Sequence, residues 1–293
     1  MPEERLDRAV VLGGGGFAGV AWGCGYLTAL EEASISARTA ERIVGTSAGS
    51  VVAAWLTGGR PMARRFRFVE QSTNASRRIL SALFGAAVGC PDAVGQQAVE
   101  LLLESVSPTP ESLRRLGELA LAARTIPEPL FVGFTSALIG RRDWRNPSLR
   151  ITAHDTATGE RVVFMPGHGI GLGRACAASS AVPGVFPPVA VHRRRFMDGG
   201  SCSATNADLA GGAERALVLS LLARRNPAPP TAMLGEIAAL ERGGTRVHAA
   251  WPDDASVAAT DGDPLDPGIV PLLARAGRAQ GRRDAPAVAA LWS

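Results

Sequence analysis

The chain has 293 residues, enough for one large α/β domain or two small ones with a sizeable core. With 46% apolar and 20% charged residues it reads as a globular, soluble protein and not as a disordered one. All 31 basic residues are arginine, which excludes a Schiff-base lysine, a Walker-type phosphate lysine and a Ser–Lys dyad. The net charge of +4 is modest, so Arg193, Arg194 and Arg195 read as a solvated hairpin and no nucleic-acid partner is expected. Cys24, Cys90, Cys176 and Cys202 form no CxxC pair. They predict no metal site, and their small apolar neighbours suit buried free thiols in a reducing compartment. The first residues, MPEERLDR, lack the apolar segment of a signal peptide, and no apolar run reaches membrane-spanning length. A cytoplasmic location is the expectation.

In chain order, Ala9 to Leu12 is a short apolar run ending in four glycines, a buried strand entering a tight loop. Gly19 to Ala33 turns helical. Arg42 to Val44 is a second strand, followed by GTSAGS and an apolar helix from Ser50 to Leu56, stopped by Gly58, Gly59 and Pro61. Helical stretches near 61–71, 95–105 and 111–124 make 61–145 a helical insertion. Strands return at Leu149–His154 and Arg161–Phe164, and Gly173 to Ala181 is helical. A hairpin is predicted from Val189–Val191 and Arg195–Met197, turning at His192 and Arg193. Beyond it come a strand from Ala216 to Leu221, a helix near 231–241, a strand at Thr245–Ala250 and a last helix near 268–280. Alternating strands and helices predict an α/β fold, with a mostly parallel sheet covered on both faces. With no repeat and no linker, residues 1–293 are expected to form a single domain.

Three constellations carry chemistry. GGGGFAG places Gly14, Gly16 and Gly19 in a G-x-G-x-x-G pattern after a strand. Its uses are an oxyanion nest of backbone N–H groups, a dinucleotide site with Glu41 as the acidic partner, or a plain tight turn. The second is Gly45-Thr46-Ser47-Ala48-Gly49, a G-x-S-x-G on a strand–turn–helix, the pattern of a nucleophile elbow. The flanking glycines permit the sharp turn, and the helix N-terminus favours developing negative charge on the serine oxygen. An ordinary glycine-rich turn with a capping serine fits the same five residues. The third is Asp198-Gly199-Gly200 after a strand, which alone would be a turn but gains weight because a serine nucleophile needs a base. The histidines are His154, His168, His192 and His248. The order Ser47, Asp198, His248 would satisfy an α/β-hydrolase triad, but only two strands precede the elbow and the glycine loop lacks a histidine.

Together, in this order, the three constellations resemble the patatin-like phospholipase family, with its G-x-G-x-[RK]-G loop, its G-x-S-x-G elbow and its distant D-G-[GA]. Leu12 to Glu32, Ala177 to Pro188 and Asn206-Ala207-Asp208 extend the similarity; 61–145 is unmatched. The resemblance implies a three-layer α/β/α fold and a Ser47–Asp198 dyad. It places the oxyanion hole at Gly14, Gly15 and Gly16, with Gly19, Gly45, Gly49, Gly199 and Gly200 completing the motifs. It implies hydrolysis of lipid acyl esters, phospholipid or lysophospholipid, through an acyl-enzyme, with peripheral membrane contact and neither metal nor organic cofactor. Ala18 stands where the family has a basic residue. That makes a catalytically silent lipid-binding or regulatory protein one alternative, beside a Ser–Asp–His esterase. Phe84, Leu101, Leu102 and Leu103 are candidates for an acyl groove or for plain core.

Overall fold

The computed structural model describes residues 6–71, 91–104, 108–140, 143–221, 231–258 and 269–293. The strands are β1 (Leu6–Leu12), β2 (Arg42–Gly45), β3 (Leu149–Asp155), β4 (Arg161–Phe164), β5 (Val189–Val191), β6 (Arg194–Asp198), β7 (Ala213–Leu219) and β8 (Arg246–Ala250). They form one sheet in the order β5-β6-β3-β2-β1-β7-β8, with β4 beside β3. From β3 to β8 neighbouring strands run parallel; β4, β5 and β6 join antiparallel at one side.

Both faces of the sheet are covered, and β1 shows why its second half, Ala9 to Leu12, is wholly apolar. Val10 and Leu12 point into the larger core, while Ala9 and Val11 point into a second core on the opposite face. A strand buried on both sides has no polar face to show. The larger core is closed by α1 (Gly16–Glu32), α2 (Ala48–Leu56) and the C-terminal helix α10 (Val270–Trp292). The opposite face is covered by a 3₁₀ turn at Ala207–Ala210 and by α8 (Thr231–Arg242). Helices α1 and α10 pack backbone to backbone. A Cβ on Gly25 would lie 2.0 Å from the carbonyl oxygen of Ala274, and one on Gly277 would lie 2.1 Å from that of Trp22.

Between α2 and β3 the described residues hold four helices and no strand: α3 (Met62–Glu70), α4 (Ala93–Glu104), α5 (Pro110–Ala122) and α6 (Glu128–Ile139). The first three correspond to the helical stretches expected there. The fourth lies inside the expected helical insertion but was not among its three named stretches. In the fold Gly133 faces open space and the helix is bracketed by Pro127 and a left-handed Gly140.

Other boundaries moved for tertiary reasons. Helix α1 begins at Gly16, earlier than Gly19. Helix α10 runs on to Trp292 through Gly281 and Pro286, where helix breakers predict an end near 280. Gly281 is kept helical by packing on Tyr26 and Ala29 of α1, which outweighs its poor propensity. A short helix α9 (Asp254–Ala258) was also unexpected. Helix α7 (Leu172–Ser179) and the β5–β6 hairpin, turning at a left-handed His192, match expectation.

Cys24 and Cys176 are buried free thiols, each pushed up to about 12 by burial, whereas Cys202 is exposed. Its neighbours Ser201 and Ser203 lie in the turn after Asp198 rather than in an apolar element. Leu101 and Leu102 pack against a small cluster of Ala98, Leu116, Leu119 and Met197, as core; Leu103 faces outward. Phe84 and Cys90 lie outside the described residues.

Candidate active site

The register of the sheet brings the expected nucleophile and base together. Gly45 of β2 pairs with Ile151 of β3, and Ala153, two residues further along β3, pairs with Asp198 of β6. Asp198 therefore stands level with the residue two beyond Gly45, which is Ser47. The chain turns sharply there. Ser47 has φ 51 and ψ −120, a left-handed backbone that only a surrounding framework holds in a non-glycine residue. That framework includes the Thr46 N–H donating to Leu12 O at 2.9 Å and the Gly49 N–H donating to Gly13 O at 3.1 Å. Gly49 must be glycine, since a Cβ would lie 1.9 Å from Leu12 O. Ser47 caps α2, so its side chain sits at the positive end of that helix.

Asp198 is buried. Its Oδ1 accepts the Gly200 N–H at 2.7 Å, while Oδ2 accepts no hydrogen bond of ordinary geometry among the described residues. Burial pushes this carboxyl up to about 7, against the lowering effects of the Gly200 N–H and of the nearby Ser47 hydroxyl. The serine is thus close enough to favour the carboxylate without a fully formed hydrogen bond, a common state of a site without substrate. Ser47 is 8% and Asp198 5% exposed, so the pair is largely shielded from water.

The glycine loop lies against the serine. A Cβ on Gly14 would be 3.5 Å from Ser47 Cβ. Gly14, however, already donates its N–H to Ala204 O at 2.7 Å, and Gly13 donates to Leu219 O at 2.8 Å. Gly15 and Gly16 open α1, where N–H groups have no acceptor within the helix. Gly16 has φ 61. Gly15 cannot carry a side chain: a Cβ would lie 2.0 Å from Leu221 O. Gly19 of the same motif packs on Leu221 as well. Ala18, at the position of the family's basic residue, is buried in the core.

No histidine reaches the carboxylate in this arrangement. His248 lies on β8, five strand spacings from β6 and so roughly 24 Å away, with its Nε2 3.4 Å from the Tyr26 hydroxyl. His154 is adjacent to Asp198 but turned to its backbone: Nδ1 donates to Asp198 O at 3.2 Å. Burial depresses the His154 imidazole to about 4, which keeps it neutral. His192 and His168 lie together outside the site, His192 Nε2 being 3.4 Å from His168 O. Glu41 sits at the opposite end of the sheet from the glycine loop, accepting the Asp7 N–H beside the Ala9–Arg42 pair, where no ribose bound at Gly14–Gly16 would meet it.

Several residues around the pair were not singled out individually in the sequence. The Ser47 N–H donates to Ser179 Oγ at 2.8 Å. The buried amide of Asn206 lies 3.1 Å from Thr46 Oγ1 and 3.0 Å from Gly199 O. Thr46 Oγ1 is 2.9 Å from Thr152 Oγ1. Ser179 and Asn206 fall inside the segments 177–188 and 206–208, so a signal existed, but only as part of a stretch. A pocket of about 750 Å³ between α6 and the start of α7 is lined by residues such as Val132, Ser136, Gly171 and Arg174 and includes neither Ser47 nor Asp198.

Comparison with known proteins shows the family of the chain. No curated protein sequence matches the chain. Among solved structures, VipD from Legionella pneumophila is similar at 12% identity and a TM-score of 0.47, over 97% of this chain and 67% of VipD. The type III effector protein ExoU is similar at 18% identity and a TM-score of 0.43, over 97% of this chain and 53% of ExoU. The chain thus spans about two thirds of the one and about half of the other. The family model described as patatin-like phospholipase matches residues 10–210, which takes in the glycine loop, the elbow and the Asp198 turn. The chain belongs to the patatin-like phospholipase family.

Proposed function

We propose that the protein hydrolyses acyl esters of lipids through a Ser47–Asp198 dyad and an acyl-enzyme. Membership of the family supports lipid acyl hydrolysis. The observation that carries the finer reading is the buried Asp198, whose Oδ2 is unpartnered beside a serine held in a strained turn at a helix N-terminus. Ser47 Oγ attacks the acyl carbonyl and passes its proton to Asp198 Oδ2. The oxyanion that forms is met by N–H groups at the start of α1, for which Gly15 and Gly16 are the candidates while Gly14 is engaged by Ala204. The alcohol leaves with the proton from Asp198. Water then attacks the acyl-enzyme as Asp198 takes its proton, and the carboxylic acid is released when that proton returns to the departing Ser47 Oγ, restoring the serine and the carboxylate. A carboxyl raised to about 7 is a far better proton acceptor than an ordinary aspartate and is still largely ionised just above neutrality.

The substrate class is phospholipid or lysophospholipid, reached by peripheral contact with a membrane surface. No helix among the described residues is long and apolar enough to cross a membrane. The test is a panel of lipid and aryl esters run on wild type beside Ser47→Ala, together with labelling by a fluorophosphonate. Hydrolysis and labelling that both vanish in Ser47→Ala are expected. A folded wild type that is neither labelled nor active, yet binds lipid vesicles, would instead favour a silent binding protein.

A further inference from the structure

We infer that Ser179 and Asn206 are positioning residues that set Ser47 against Asp198, because together they bind the elbow and both sides of the Gly199 residue that follows the base. Gly199 is the key. Its N–H donates to Ser179 O at 3.0 Å, and its carbonyl accepts from Asn206 Nδ2 at 3.0 Å. Each of those two residues also grips the elbow. Ser179 Oγ accepts the Ser47 N–H at 2.8 Å, and Asn206 Nδ2 lies 3.1 Å from Thr46 Oγ1. The nucleophile and the base come from different strands, β2 and β6, which are not neighbours; β3 lies between them. Sheet register sets Asp198 level with Ser47, but Ser47 lies beyond the end of β2, so their final separation depends on how the elbow is held against the turn that follows Asp198. The two clamps join those turns directly.

The surroundings show that the clamps are built and not incidental. Ser179 and Asn206 are both fully buried. Asn206 Nδ2 has a third acceptor, Ser203 O at 2.8 Å, so two amide hydrogens serve three oxygens. Its Oδ1 accepts from Arg161 Nη1 at 3.0 Å, which fixes the orientation of the amide, and Arg161 is itself paired with Asp208 at 2.6 Å. The Asn206 backbone is left-handed, at φ 54, a conformation that asparagine tolerates better than most residues. Gly199 has no room to shift: a Cβ there would lie 2.4 Å from both Thr152 O and Thr152 Oγ1. Neither Ser179 nor Asn206 touches the Asp198 carboxylate, so each acts through the backbone beside it.

The inference rests on the dyad reading, and the test separates the two. Ser179→Ala removes the acceptor for the Ser47 N–H with little change in volume. Asn206→Asp keeps the size and the Arg161 contact but loses both donors. Each is measured with wild type and Ser47→Ala for kcat and KM on a soluble aryl ester, for fluorophosphonate labelling rate and for thermal unfolding. A misplacement of the reacting pair is worth about ten- to a hundredfold in turnover. The expected result is a fall of that size in kcat and labelling rate, with KM unchanged. In the double variant the losses should not multiply. Wild-type kcat in both variants, or loss explained by KM or by unfolding alone, overturns the inference while the dyad reading stands. If Asn206→Asp does not fold, Ser179→Ala decides by the same criteria. If wild type is no more active than Ser47→Ala, the dyad reading falls and the positioning role falls with it.

Discussion

Replacing Asp198 by asparagine tests the electrostatics of the site without reference to any substrate. An aspartate with an ordinary value of 3.8 that is raised to about 7 by burial makes the folded state hold a proton the unfolded chain releases. Its contribution is fully present below 3.8 and is lost as pH rises through 7, so wild type is penalised at alkaline pH. Carrying the carboxyl between those values costs the ionised form about 4 kcal/mol. Asparagine escapes that cost and keeps an Oδ1 to accept the Gly200 N–H. It places an NH₂ group where Oδ2 had no partner, which returns about 1–3 kcal/mol. Asp198→Asn is therefore expected to be more stable than wild type at pH 8 by roughly 1–3 kcal/mol. Between pH 8 and pH 4 the difference should shift by about 3–4 kcal/mol toward wild type, so that Asp198→Asn becomes the less stable protein at pH 4. Urea unfolding at pH 4, 6 and 8, on both proteins, measures this. A stability difference that does not change with pH would refute the raised carboxyl and, with it, the account of Asp198 as a base poised near neutrality.

The same carboxyl predicts the acid limb of activity: kcat/KM should fall about tenfold per pH unit below about 7, as the base becomes protonated. A limb near 4 on a stable ester would contradict it. Gly15→Ala should reduce turnover by about a hundredfold or more, the scale of a lost oxyanion donor, because its Cβ must displace Leu221 O from 2.0 Å; unchanged turnover in the folded variant would remove the loop from the mechanism. His248→Ala should keep turnover within a small factor of wild type, since its imidazole meets Tyr26 and not Asp198. A fall to the level of Ser47→Ala, with the fold intact, would restore a triad.

What the sequence determined by itself was local. The elbow, the glycine loop and the turn after Asp198 are short strand-end motifs, and glycine marks each of them because backbone must approach backbone there. Gly49 against Leu12 O is an instance, since the elbow glycines were read as permitting close packing; the approach of Gly199 to Thr152 O appears only in the fold. The apolar runs of β1, β2 and β7 were equally legible, since strands buried on both faces carry almost no polar residues. The end of α10 was not, because Gly281 and Pro286 signal a break, and at Gly281 packing on α1 overrules it. Nor did the exposure of Cys202 follow from its small neighbours. The site divides in the same way. That Ser47 and Asp198 belong together followed from motif order and family resemblance. Their meeting level with each other depended on the registers of β2 on β3 and β3 on β6. That Gly14 spends its N–H on Ala204 depended on a loop returning across the sheet. Ser179 and Asn206 clamp the turns only because α7 and the segment after Asp198 pack beside the elbow. Hydrogen bonds between distant segments leave no period or spacing in a single sequence, so the fold alone shows which serine and which asparagine bind the elbow and the turn after Asp198.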